Sequence, residues 1–197
     1  MSRKKRYPLR IPRSASGIRA QETRGGSARS WWAKKWRTAL ERMGGLLGRF
    51  GRGRNYAMSG QIVSLGMEGP HVEATVVGSR PDPYKVTISF RAPDDAAHDR
   101  IVAALRAEPM LVARLLTDDL PLEVEAIFRR EGFDLFPGGK IAERVYDVTT
   151  KCSCPDWANP CKHSLAVLFI LGEECAWRPA TLLELRGITM EELCDED

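Results

Sequence analysis

Three cysteines and one of the chain's three histidines fall within twelve residues, Cys152-Ser-Cys-Pro-Asp-Trp-Ala-Asn-Pro-Cys-Lys-His163. Thiolate sulfur and imidazole nitrogen are typical donors to a tetrahedral Zn²⁺, and four of them fill the ion with no position left for a reacting water. The stretch therefore demands a fold in which Cys152, Cys154, Cys161 and His163 converge on one point, and it favours structural support over catalysis. On an extended segment residues i and i+2 point to the same face, so Cys152 and Cys154 both reach the ion while Ser153 faces away. Pro160 ends the intervening loop and the apolar run Leu165 to Leu171 follows, which places Cys161 and His163 at a helix start. The expected unit is strand, short loop, helix. A disulfide reading fares worse: a single residue between Cys152 and Cys154 makes a strained bridge, and nothing in the sequence resembles a secretory signal.

This pattern of Cys-x-Cys, a spacer from Pro155 to Pro160, and Cys-x-His resembles the SWIM zinc finger, with all four ligand positions matched. The likeness extends through Trp157, the Leu-Ala-Val of the following helix and Leu182-Leu-Glu-Leu-Arg-Gly187. More loosely, from about Arg52 onward, the chain resembles stand-alone bacterial SWIM proteins found alongside Swi/Snf-type helicase ATPases. The resemblance implies a Zn²⁺ cofactor, a bacterial source and a helicase-type ATPase as a protein partner.

Charge is distributed unevenly. The net charge of +4 divides into residues 1–54, with 16 Lys and Arg against 2 acids for a net of +14, and a remainder of net −10. Residues 1–30, rich in Arg, Ser, Gly and Pro, bury too little to offset the entropy of ordering them, so a disordered basic arm is expected. Such arms bind phosphate backbones through counterion release. The candidate contacts to nucleic acid, DNA in the first instance, or to a protein partner are Lys4, Lys5, Arg6, Lys34, Lys35, Arg37, Arg52 and Arg54, with Lys151 and Lys162 beside the metal ligands. Three thiolates and a neutral imidazole around Zn²⁺ leave one net negative charge, which those two lysines can screen. A solubilising tail is the plain alternative. A transit peptide is disfavoured because Lys4, Lys5, Pro8 and Pro12 spoil an early amphipathic helix. No apolar run reaches the roughly 18 residues of a membrane span, so a soluble, cytoplasmic and nucleoid-associated protein is expected.

Along the chain, Trp32, Trp36, Leu40, Met43, Leu47 and Phe50 recur at helical spacing, with Lys34, Lys35, Arg37, Arg42 and Arg49 on the remaining surface. This predicts one cationic helix over 31–50, weakened by Gly44, Gly45 and Gly48, whose Trp face packs on its own domain or meets a membrane surface, nucleic acid or a partner. Strand chemistry follows at Gln61–Leu65, His71–Val77 and Tyr84–Phe90, divided by Gly, Pro and Asp turns as in an antiparallel meander. Helices are predicted from Asp94 and Asp95, over 110–116 and over 122–130. Asp118 and Asp119 between them read as inter-helix caps rather than paired catalytic carboxylates. Arg144–Thr149 alternates as the strand delivering Cys152. Pro179 opens a short helix ending at Gly187, and Thr189 caps a final acidic turn. Cys175 reads as a packing residue, and His71 and His98 as surface or satisfied histidines.

The fold class expected is α+β: a small β-meander, a helical middle and a zinc-bound strand-loop-helix unit. Its organisation is expected as a disordered arm (1–30), a cationic helix and linker (31–54), the meander with helices (55–142), and the zinc unit with terminal helices (143–197). No Walker loop, Gly-x-Ser-x-Gly elbow or His-Glu-x-x-His occurs. A deaminase-like open zinc would need a Glu two residues after the His ligand, and Leu165 stands there. The favoured function is a non-catalytic zinc adaptor for nucleic acid or a protein, with no small-molecule substrate. A pure protein-interaction module is the alternative, and a small zinc hydrolase or deaminase the least favoured.

Overall fold

The structure is a computed structural model that describes residues 11–21, 30–44, 48–138 and 147–195. Lys4, Lys5 and Arg6 lie outside the described residues. The expected α+β class is the one observed. Four strands, β1 (Ile62–Glu68), β2 (His71–Val76), β3 (Tyr84–Phe90) and β4 (Val148–Cys152), form one antiparallel sheet in the order β1-β2-β3-β4. The meander is thus extended by the strand that carries the first metal ligand, with Cys152 opposite Val86. Alternation sends Val72, Ala74, Val76, Val86, Ile88 and Phe90 into the core, while Glu73, Lys85 and Thr87 face water, the pattern of a sheet covered on one face.

That covered face packs against α6 (Lys162–Trp177), an apolar helix buried along most of its length. Two N-terminal helices, α1 (Trp31–Gly44) and α2 (Arg49–Met58), also pack against α6. The single helix predicted over 31–50 is therefore two, separated where Gly48 adopts a left-handed φ of 66°. Arg52 to Arg54, expected as a linker entering the meander, are helical because α2 crosses α6 closely. A Cβ on Gly53 would lie 2.6 Å from that of Leu165, so a residue of poor helix propensity is kept by packing. Trp36 is only 3% exposed. Its Nε1 donates to the Leu168 carbonyl at 3.0 Å, and its indole occupies the space that a side chain at Gly172 would fill. The Trp face of α1 thus packs on its own domain.

Between β3 and β4 stand α3 (Asp95–Arg106), α4 (Pro109–Leu116) and α5 (Leu122–Arg130), joined at the end of the chain by α7 (Thr181–Glu184) and α8 (Met190–Cys194). Asp94 caps α3 by accepting from Ala97 N at 2.9 Å, and Thr189 and Glu192 make a capping box on α8. Asp118 takes a left-handed turn at φ 58° and Asp119 pairs with Arg114 at 2.7 Å, so these acids serve the α4–α5 turn. Arg186, 1% exposed, donates to the carbonyls of Leu135 and Arg91 and to Asp147 Oδ2, tying the helical region to both ends of the β3–β4 excursion.

Residues 11–21, placed by sequence in the disordered arm, run extended beside the sheet. Ile18 bridges Ile62, and the amides of Arg13, Gly17 and Ala20 donate to Gly78, Gly60 and Ala57. A Cβ on Gly17 would sit 2.0 Å from the Ile62 carbonyl oxygen. This ordering comes from backbone pairing, which polar composition does not reveal.

Candidate metal centre

β4 ends at Cys152, the chain bends through Cys154, and a short loop returns to Cys161, the N-cap of α6. Ligand atoms of Cys152, Cys154, Cys161 and His163 all lie within 4.8 Å of one another. His163 Nδ1 is 3.8 Å from both Cys152 Sγ and Cys161 Sγ. With Zn–S of about 2.3 Å and Zn–N of about 2.0–2.1 Å, a tetrahedral S···N edge is about 3.6 Å, so the spacing fits. Three sulfurs and one nitrogen aimed at a single point form a donor set that a divalent, sulfur-preferring cation satisfies. These four residues are positioned to bind a metal ion, consistent with zinc.

Cys161 does two jobs. Besides being a ligand, its sulfur accepts from Ser164 N at 3.5 Å, which puts negative charge at a helix N-terminus where the macrodipole favours it. Its pKa is pulled down to about 3, first by the hydrogen bond from the Cys152 thiol, against burial, and then by His163 and Ser164. The same hydrogen bond raises Cys152, with burial adding to it, and burial raises Cys154. Metal binding takes the protons off all three thiols.

His163 is 3% exposed, and its Nε2 is buried without a hydrogen-bond partner among the described residues. A metal-bound histidine is ordinarily oriented through its second nitrogen. Here the ring is clamped instead by Tyr84, 4.5 Å away and tilted by 33°, and by the edge of Tyr56 at 5.0 Å. Tyr56 belongs to α2, which presents Arg49, Gly53 and Tyr56 at i, i+4 and i+7 to the metal loop. Burial, then the nearby Tyr84, Cys154 and Cys161, raise the Tyr56 pKa. Sequence reasoning did not assign these tyrosines or Arg49 to the site. The seven-residue spacing that links Arg49 and Tyr56 on α2 was hidden by Gly51 and Gly53.

The loop is stiffened at both ends by ligands. Within it, Asp156 Oδ1 accepts from Ala158 N at 3.2 Å, and Thr150 donates to Asn159 Oδ1. Trp157 projects outward, 85% exposed, with the Arg49 guanidinium 5.0 Å from its ring centroid.

Of the cationic candidates, Lys35 on α1 is half-buried and paired. Its Nζ pairs with the buried carboxylate of Glu125 and lies 5.3 Å and 5.6 Å from the ring centroids of Trp31 and Phe136. That ammonium and the Arg129 guanidinium supply the counter-charge that burying Glu125 requires. Arg37 pairs with Glu41 on the surface of α1. Lys34 and Arg52 are exposed and Arg54 is half-buried. Lys151 is exposed on β4, and Lys162 Nζ sits 5.4 Å from the Tyr56 ring centroid. The metal end thus carries Arg49, against Trp157, and Lys162, against Tyr56, while Lys34 and Arg37 stand on α1. His71 meets Ser89 at 3.2 Å, and His98 lies against Asp99 and Glu192. Cys175 is buried in the core, and burial raises its pKa.

Residues 144–172 match the SWIM zinc finger family, a span that contains all four donors. The chain is also similar to the uncharacterized protein Rv2102 of Mycobacterium tuberculosis, with 36% identity over 177 residues, or 90% of this chain and 62% of that protein. The chain therefore spans less than two thirds of the length of that relative. No solved structure matches it significantly. No helix among the described residues is long and apolar enough to cross a membrane. The chain carries a SWIM zinc finger.

Proposed function

We propose that this chain is a non-catalytic zinc-dependent adaptor that binds nucleic acid through sequence-independent phosphate contacts. The observation that carries the reading is the arrangement around the metal. The donor set is complete, and α2, which bears Arg49, Arg52 and Arg54, sets its Tyr56 against His163. A filled coordination sphere supports a role in holding structure, and a cationic surface fixed by that structure supports phosphate binding. The polycationic first quarter of the chain adds non-specific affinity, and the natural setting is the nucleoid of a bacterial cytoplasm.

A protein partner is the second reading. The helical region exposes Met110, Leu116 and Leu122 on a body of net negative charge, which favours docking with another protein. From the family resemblance, that partner is a Swi/Snf-type helicase ATPase.

Salt-dependent binding tests the first reading. Removing residues 1–54 would delete α1 and most of α2, so the suitable variant replaces Lys4, Lys5 and Arg6 together by alanine in the full chain. Full-length, zinc-loaded protein should bind labelled DNA with an affinity that falls steeply as salt rises. The variant's log–log salt slope should be shallower by about 0.7–0.9 for each phosphate it no longer neutralises. Weak, salt-insensitive binding by both proteins at low salt would overturn the reading. A cobalt-substituted protein with an exchangeable water ligand would overturn the non-catalytic part.

A further inference from the structure

We infer that Trp157 is a stacking platform for an unpaired base, making single-stranded nucleic acid the preferred ligand of the zinc end. This deepens the nucleic-acid reading above and rests on it. A large indole left almost wholly in water forgoes the gain of apolar burial, and at 85% exposure Trp157 fills no apolar pocket among the described residues. Nor is the exposure that of a floppy loop. The segment is anchored at Cys154 and Cys161, and Asp156 and Asn159 are engaged inside it. An aromatic held outward on a rigid support binds with little loss of conformational freedom.

The surrounding charge selects the ligand. The Arg49 guanidinium covers one face of the ring at 5.0 Å, and the exposure of the indole leaves the other face open. Arg52 follows Arg49 on α2, and Lys162 stands beside Cys161 with its ammonium over Tyr56. The one carboxylate in the loop, Asp156, is turned to the Ala158 amide. A cationic ligand such as a basic peptide is repelled here, whereas a planar base joined to phosphates meets both a π-face and positive charge. Bases in a duplex have their faces covered by their neighbours, so a single projecting indole discriminates in favour of unpaired strands.

Equilibrium binding of a fluorescein-labelled oligothymidylate, its ribonucleotide counterpart and a duplex of equal length to the full-length zinc-loaded protein tests this. Trp157→Ala should weaken single-strand binding by about 5- to 150-fold, the equivalent of one stacked base. Trp157→Phe should keep most of that affinity, duplex binding should be unchanged, and each variant's zinc content is measured alongside. Trp177→Ala, which removes an indole that is also exposed but lies at the far end of α6, should change nothing. A readout independent of variant folding is photocrosslinking of wild-type protein to a 5-iodouracil oligonucleotide, with the adduct expected at Trp157. Unaltered single-strand affinity in a folded Trp157→Ala, or a crosslink that maps only elsewhere, overturns the inference while leaving the adaptor reading intact. Absence of binding to strand or duplex by the wild type removes both.

Discussion

The metal loop and the helical region are held in opposite ways. From Cys152 to His163, Ala158 is the one buried apolar side chain outside the ligand set, and the large residue Trp157 points outward. In the helical region Ile101, Leu105, Leu115, Leu120, Val124 and Phe128 are all essentially sealed from water. A region fixed by packing is held by the large side chains it turns inward, whereas coordination bonds can fix a loop while leaving its side chains free to face a ligand. This difference is why the candidate interface lies on the metal-held part.

Removing the metal bears hardest on that contrast. Structural zinc supplies apparent folding energies of about 10–16 kcal/mol in small domains, comparable with the roughly 5–15 kcal/mol total stability of a typical protein. Chelation, or Cys161→Ala, should abolish amide protection in the first turns of α6 and the end of β4 as read by hydrogen exchange. Full protection of α6 in the metal-free protein would break the comparison. The reciprocal test is Phe128→Ala, which should cost about 3–5 kcal/mol in denaturant unfolding with zinc stoichiometry unchanged. If zinc is lost as well, the two regions are one cooperative unit.

Gly172→Ala sharpens the boundary between them. Its Cβ would fall 2.4 Å from the Trp36 indole, so about 1–3 kcal/mol of overpacking cost is expected, with the loosening of α1 visible in near-ultraviolet circular dichroism. Smallest is Glu131→Gln. The hydrogen bond from Arg100 lowers the Glu131 pKa, so its contribution is present above the unfolded carboxylate pKa and fades as pH falls through the folded value. Wild type and variant should differ slightly in Tm at neutral pH and low salt, and converge in acid or high salt.

The metal ligands were legible because coordination demands particular residue types at short range, and the two hairpins because turn chemistry is local. The pairing of β4 with β3 was not, since three helices intervene and the alternation of a strand does not name its neighbour. α2 was obscured by glycines that only its close crossing with α6 explains. The pairing of Lys35 was not legible because sequence does not reveal that Glu125 is buried opposite it, and the burial of Arg186 was hidden for the same reason. The extended course of 11–21 depends on backbone hydrogen bonds, to which composition is blind.

Zinc K-edge absorption on the purified, reduced protein, together with elemental analysis, bears most directly on the central claim. One ion per chain is expected, with three sulfur scatterers at about 2.3 Å and one nitrogen at about 2.0–2.1 Å. A substoichiometric ion, or an oxygen ligand in place of one of the sulfurs or of His163, would contradict it.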